Sequence, residues 1–169
     1  MTKEEVYETE KAAGVNLVEG EIYEYEWKGE IAGQENAELF LSIYDGLEKV
    51  TYSFNSLENY DTLNSGLLTK YGDTPYSSET GAYLYEPQFN GKENHGMFVE
   101  TISDSKYSQW LIPYSDTQSI FIKHYAYQRD RVALMKGFDS FSRVEHVISY
   151  ELLSEYMTNQ YKNPYSGDL

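Results

Sequence analysis

The sequence predicts an α+β fold: an antiparallel β-meander with helices packed on one face. Three observations predict it. Apolar residues alternate with polar ones in short runs divided by turn residues, the mark of half-buried antiparallel strands. Leu57, Tyr60, Leu63, Leu67 and Tyr71 recur at spacings of three and four, with Leu68 widening the stripe, as on an amphipathic helix. The chain has 169 residues, 40% hydrophobic and 24% charged, enough for one compact globule with its own core.

Taken in order, Thr2-Lys3-Glu4-Glu5 reads as a capping box, in which the Thr2 hydroxyl accepts from the Glu5 amide and the Glu5 carboxylate reaches back. It opens a helix over residues 3–13 that Gly14 ends. Residues 21–28 alternate, with Tyr23, Tyr25 and Trp27 on one face and Ile22, Glu24, Glu26 and Lys28 on the other. Residues 29–36 are expected to be a loop. Strands follow at 38–44 and 48–54, joined at Asp45-Gly46, a pair suited to the positive φ angles of a type I′ hairpin turn. Asn55 or Ser56 then caps a helix over 57–71; Gly72 stops it and Pro75 forbids its continuation.

Beyond Pro75, residues 74–80 read as a linker, 82–86 as a short strand and 87–96 as a loop marked by Asn90-Gly91. Residues 97–102 and 107–112 read as a hairpin around Ser103-Asp104-Ser105. Residues 119–127 form a strand rich in β-formers. Residues 129–138 fit a strand or a short helix equally, and 144–153 make the last strand. The order of elements suggests two α-β-β-β units, 1–56 and 57–153, followed by a polar C-terminal tail, 154–169.

Composition removes whole classes of chemistry. The absence of cysteine excludes disulfides, Cys-based zinc sites and thiol nucleophiles. Thirteen basic residues stand against 28 acidic ones, a net charge of −15. Residues 1–60 alone carry 4 basic and 14 acidic side chains, net −10. Such a field repels nucleic acid and anionic membranes. No apolar run approaches the roughly 18 residues of a membrane helix.

Candidate chemistry is sparse. His95, His124 and His146 are spread along the chain; if the strands holding His124 and His146 pair, the two imidazoles face each other, but a metal site needs a third ligand. Glu24 and Glu26 share a strand face at a separation compatible with a glycosidase pair, yet an exposed strand face gives the same spacing. Serines are abundant, including Ser53 and Ser119, without a G-x-S-x-G motif, and no glycine-rich phosphate loop is present. No catalytic, cofactor-binding or metal-binding residue is therefore assigned, and no cofactor. The 18 tyrosines supply more ring area than one core absorbs. Tyr76, Tyr83, Tyr85, Tyr107 and Tyr114 are the candidates for an exposed binding surface.

Two segments resemble known families. Met-Thr-Lys-Glu-Glu-Val at 1–6 resembles the G-M-T-x-x-x-V helix start of the SmpA/OmlA (BamE-like) lipoproteins. Leu67 to Pro75 resembles the L-x-x-K-Y-G-x-P signature of small extracytoplasmic proteins of Gram-positive bacteria, and the tandem α-β-β-β order is similar to the β-lactamase inhibitor protein. The second helix lacks the Met-Thr start, and residues 14–20 lack the usual Gly-Pro. The resemblance implies a non-enzymatic, secreted or lipid-anchored protein that works through protein contacts, with an anchor upstream of Met1. It carries over no functional residue. The expected partner is another protein, a basic one suiting the acidic first half, met by exposed aromatics of the second half. The alternative is an acidic polyanion mimic that inhibits a nucleic-acid-binding enzyme in the cytoplasm, and a further one a glycan-binding module.

Overall fold

The computed structural model describes residues 2, 5, 18–19, 24–43 and 46–162. It is an antiparallel α+β fold. The strands are β1 (Val18–Glu19), β2 (Glu24–Ile31), β3 (Gln34–Ile43), β4 (Leu47–Phe54), β5 (Tyr76–Ser77), β6 (Gly91–Asn94), β7 (Phe98–Pro113), β8 (Ser119–Ala133) and β9 (Phe141–Leu153). Two helices are described, α1 (Tyr60–Tyr71) and α2 (Glu155–Lys162). The chain divides into two compact units, Met1–Ser53 with Trp110–Ile122 and Ile148–Leu169, and Phe54–Gln109 with Lys123–Val147.

In the first unit the strands run in the order β1-β2-β3-β4, continued by the C-terminal part of β9, the N-terminal part of β8 and the C-terminal part of β7. Leu39, Leu41 and Ile43 alternate along β3 and are buried together, with Ile31, Leu47, Val50 and Tyr52 packed against them. The capping box at the chain start is formed: Glu5 N donates to Thr2 Oγ1 at 3.2 Å, and Thr2 N donates to a Glu5 carboxylate oxygen at 2.7 Å. The rest of the expected helix 3–13 and the two faces assigned to Tyr23, Tyr25, Trp27, Glu24 and Glu26 lie outside the described residues or side chains. The polar segment after β9 is helical over Glu155–Lys162, with Thr158 buried and the Tyr161 ring 4.9 Å from that of Phe121. An apolar anchor on a polar helix explains why composition alone read it as tail.

One hairpin turn of this unit stands where a loop was expected. Ile31 pairs with Gln34, leaving Ala32 and Gly33 as a two-residue turn with φ of 51° and 76°. Two positive φ angles in a two-residue loop are the requirement of type I′. Between β3 and β4, Ile43 pairs with Leu47 and a register shift follows Ser42; Asp45 of the expected Asp45-Gly46 turn lies outside the described residues. Gly46 has φ 121°, a positive angle of the kind the expected turn asks of its glycine. The expected loop 29–36 is thus a hairpin, with Asn36 at φ 56° in the register shift of β2–β3. Asn tolerates that angle better than most residues.

In the second unit β9, β8 and β7 are neighbours in that order, β5 pairs with β7 at Gln109 and Ser108, and β6 pairs with β7 from Val99 to Ile102. The expected hairpin at 103–105 is instead one continuous strand: a single left-handed residue, Asp104 at φ 53°, is absorbed within β7. Each half of β7 has its own short partner, which is why two apolar runs stay in one strand. Residues 129–133 continue β8.

Helix α1 starts at Tyr60, three residues later than expected. Asn59 precedes it in the left-handed conformation, φ 65°, and Ser56 Oγ accepts from Glu58 N at 3.0 Å in a local turn. That side-chain turn competes with the first helical turn. Gly72, φ 85°, closes the helix by donating to Leu68 O at 2.8 Å. Tyr60 and Leu67, two turns apart, are its buried residues.

Candidate functional site

The expected facing of His124 and His146 is realised, inside the second unit. Both imidazoles are fully buried, and their Nε2 atoms are 3.0 Å apart. The Tyr60 ring stacks on His124 with centroids 4.0 Å apart, and Phe54 lies 5.0 Å from His146.

The protons in this chain can be placed by elimination. His146 Nδ1 is 2.7 Å from the Ser56 carbonyl oxygen, which only accepts, so His146 carries its proton on Nδ1. In the neutral ring Nε2 is then an acceptor, and His124 donates to it through Nε2. His124 Nδ1 therefore needs a donor, and its neighbour at 3.0 Å is the Asn64 side-chain amide. With Asn64 Oδ1 toward the ring, His124 would need protons on both nitrogens. Burial lowers the pKa of His124 to about 3, with the neighbouring His146 adding to the effect, and burial lowers that of His146 against the pull of the Ser56 carbonyl. The neutral arrangement thus has the amide turned so that its NH2 donates, an exchange of O and N that leaves the shape unchanged. The result is a neutral relay running from Asn64 through His124 and His146 to the Ser56 carbonyl, with every imidazole nitrogen paired.

This arrangement is a hydrogen-bonded strut that ties β8 and β9 to α1 and the turn before it. The nitrogens that would bind a metal are spent on each other, and among the described residues no group of three or more His, Asp or Glu side chains gathers. His95 sits in the β6–β7 turn, its amide donating to Phe98 O at 3.0 Å. Glu145, placed on the face away from His146, pairs with Arg143 at 2.9 Å. Of the five candidate tyrosines, Tyr83, Tyr85 and Tyr114 are exposed, Tyr76 is half-buried and Tyr107 is buried.

Residues 82–90, expected to be a strand and the start of a loop, make no ladder. They are held by side chains of β7 instead. Gln109, buried, accepts from Leu84 N at 2.7 Å and Tyr85 N at 3.1 Å and donates to Tyr85 O at 2.6 Å. Tyr107 donates its hydroxyl to Ala82 O at 3.1 Å, Ser105 N donates to Asn90 Oδ1 at 2.8 Å, and the Ser105 hydroxyl donates to Gln88 O. Beneath this loop lies a cleft of about 220 Å³ lined by Tyr85, Glu86, Gln88, Lys123, Tyr125 and Tyr127 among others.

A second surface lies at the tip of the β8–β9 hairpin. Val132, Leu134, Met135 and Phe138 are exposed there, with Met97 beside them: Leu134 N donates to Met97 O at 2.9 Å. Its base is stiff. The Arg131 guanidinium lies 4.0 Å from the Phe98 ring and 4.9 Å from the Phe141 ring, and also meets Glu100 at 3.2 Å.

Asn64, Ser56 and Gln109 were not foreseen as site residues. A signal existed for Asn64: it stands four residues after Tyr60 and three before Leu67, a polar residue on the apolar stripe. Ser56 contributes through its backbone and Gln109 through a loop with no pattern, so neither leaves a sequence trace. The chain matches no family profile, no curated protein and no solved structure.

Proposed function

We propose that this chain is a non-enzymatic, extracytoplasmic domain that binds another protein, with the tip of the β8–β9 hairpin as the contact surface. The observation that carries the reading is the apolar tip itself. Leu134 and Met135 are 54% and 57% exposed, Val132 56%, and Met97 and Phe138 adjoin them. A cluster of large apolar side chains on the surface of an otherwise acidic protein is a contact site by default, and methionine adapts its shape to a partner. The Phe98–Arg131–Phe141 stack beneath it supplies a rigid support, which lowers the ordering cost of binding.

Charge refines the choice of partner. Residues 123–143 carry five basic side chains and two acidic ones in a chain whose net charge is −15. Arg131 and Arg143 are paired with Glu100 and Glu145 within the chain, so the field a partner meets on approach is the acidic one of the whole chain, which favours basic groups around the partner's apolar patch. The secreted or lipid-anchored setting rests on the lipoprotein resemblance of residues 1–6 alone. The two-unit α-β-β-β reading is favoured by the strand order, in which β2-β3-β4 and β7-β8-β9 are each three consecutive neighbours.

The test is site-specific photo-cross-linking from position 135 in an extracytoplasmic fraction, repeated with Leu134→Asp. One dominant adduct that disappears in the variant, whose melting temperature stays unchanged, supports the reading. Adduct formation indifferent to Leu134→Asp, or an adduct with a second copy of the chain alone, rejects it.

A further inference from the structure

We propose that the cleft under loop 82–90 is a binding site for a single neutral sugar ring, a function separate from the hairpin tip. Size, rigidity and lining chemistry each select this class of ligand. A volume of about 220 Å³ lies below the roughly 300–1,000 Å³ of drug-sized sites, so the cleft takes one ring-sized group. The loop over it is pinned at both ends and in the middle by Gln109, Tyr107 and Ser105, so the site exists before the ligand arrives.

The lining excludes the other small ligands in turn. Four phenol rings, of Tyr85, Tyr107, Tyr125 and Tyr127, give flat apolar area with a hydroxyl at each edge. Lys123 and Glu86 contribute one charge of each sign, so the cleft has no net charge to select a charged ligand over a neutral one. A wholly apolar ligand would desolvate Glu86 and Gln88 without replacing their hydrogen bonds. A pyranose presents C–H faces to the rings and hydroxyls, which both donate and accept, to the amide, carboxylate, ammonium and phenol groups. Lys123 Nζ already lies 4.8 Å from the Tyr85 ring centre, which places a donor beside the exposed aromatic wall. Tyr125 and Tyr127 stand nearly parallel, 16° apart with centroids at 6.0 Å, along the floor.

The experiment is a titration with glucose, galactose, mannose, N-acetylglucosamine and their short β-linked oligomers, followed by amide NMR. At least one of these sugars should shift the signals of Tyr85, Gln88, Gln109 and residues 123–127. Tyr85→Ala should weaken that binding about tenfold or more, the equivalent of one good contact. The Tyr85 ring is 55% exposed and the loop is held through backbone atoms, so the variant should melt as the parent does. Gln88→Ala should weaken binding as well. The proposal fails if none of these sugars moves the cleft signals, if the shifts gather elsewhere, or if both variants bind as tightly as the parent.

Discussion

His124 and His146 meet through their Nε2 atoms at 3.0 Å, and the carbonyl of Ser56 sets the direction of the proton between them. The pair ties β8 to β9, while Asn64 and Ser56 tie both to α1 and its leading turn. Fold stability in this unit is therefore linked to the charge state of two buried rings.

The first prediction is a loss of stability in mild acid. Unfolded histidine binds its proton near pH 6.5, whereas burial lowers the folded value of His124 to about 3. Between those values the unfolded chain binds more protons, so stability rises with pH. The contribution is complete above pH 6.5 and is lost progressively as pH falls toward 3. For one histidine the difference between pH 7 and pH 5 is about 2 kcal/mol. Urea unfolding at these two pH values, above the range where most carboxylates titrate, checks it. The imidazole NMR signals of His124 should stay in the neutral form at pH 5 and those of His146 should titrate below the ordinary value; a midpoint near 6.5 for His124 would refute the assignment.

The second prediction concerns Asn64. Asn64→Leu removes the donor to a buried nitrogen and should cost about 1–3 kcal/mol at pH 7. Asn64→Asp substitutes an acceptor that favours the protonated ring, so the folded pKa of His124 should rise and the acid sensitivity between pH 7 and 5 should shrink. If Asn64→Asp leaves the pH dependence as it was, Asn64 does not donate to His124.

Much of the fold was legible because burial leaves a periodic trace. Leu39, Leu41 and Ile43 alternate, and Tyr60 and Leu67 share a helix face, and these residues are buried as their spacing demanded. What escaped was information that is not periodic. Ser103-Asp104-Ser105 has the composition of a turn, but β6 and β5 each complete half of β7 and keep it straight through. Residues 82–86 alternate like a strand, but the Gln109 side chain satisfies their backbone groups instead of a neighbouring strand. The histidine pair was half legible. The strand assignment brought the rings together, while the Ser56 carbonyl that fixes their protons is a backbone atom any residue would supply.

The third prediction follows from the hairpin that replaces the expected loop. Ala32 sits at φ 51° in the β2–β3 turn, a conformation that costs a residue with a Cβ about 1–2 kcal/mol. Ala32→Asn should therefore stabilise the protein by about 0.5–1 kcal/mol, because Asn accepts positive φ. Ala32→Val should destabilise it, since a branched Cβ resists the same angle. Thermal unfolding of the two variants against the parent decides the matter, and a stabilising Ala32→Val would exclude the type I′ turn.

The last prediction tests the phase of α1. Leu67 is buried two turns after Tyr60, while Lys70 lies on the exposed side with its ammonium 5.2 Å from the Tyr71 ring centre. Leu67→Ala removes buried methyl groups and leaves a cavity, so it should cost about 2–5 kcal/mol. Lys70→Ala removes an exposed cation–π contact worth about 0.5–1 kcal/mol, part of which alanine's higher helix propensity returns. The comparison carries a further consequence. Because Asn64 rides on the same face as Leu67, loosening the helix should also loosen the donor to His124. Leu67→Ala should therefore reduce protection of the Asn64 and Tyr60 amides from hydrogen exchange, and Lys70→Ala should leave it intact. Equal losses of stability in both variants would show that the helix packs on a different face.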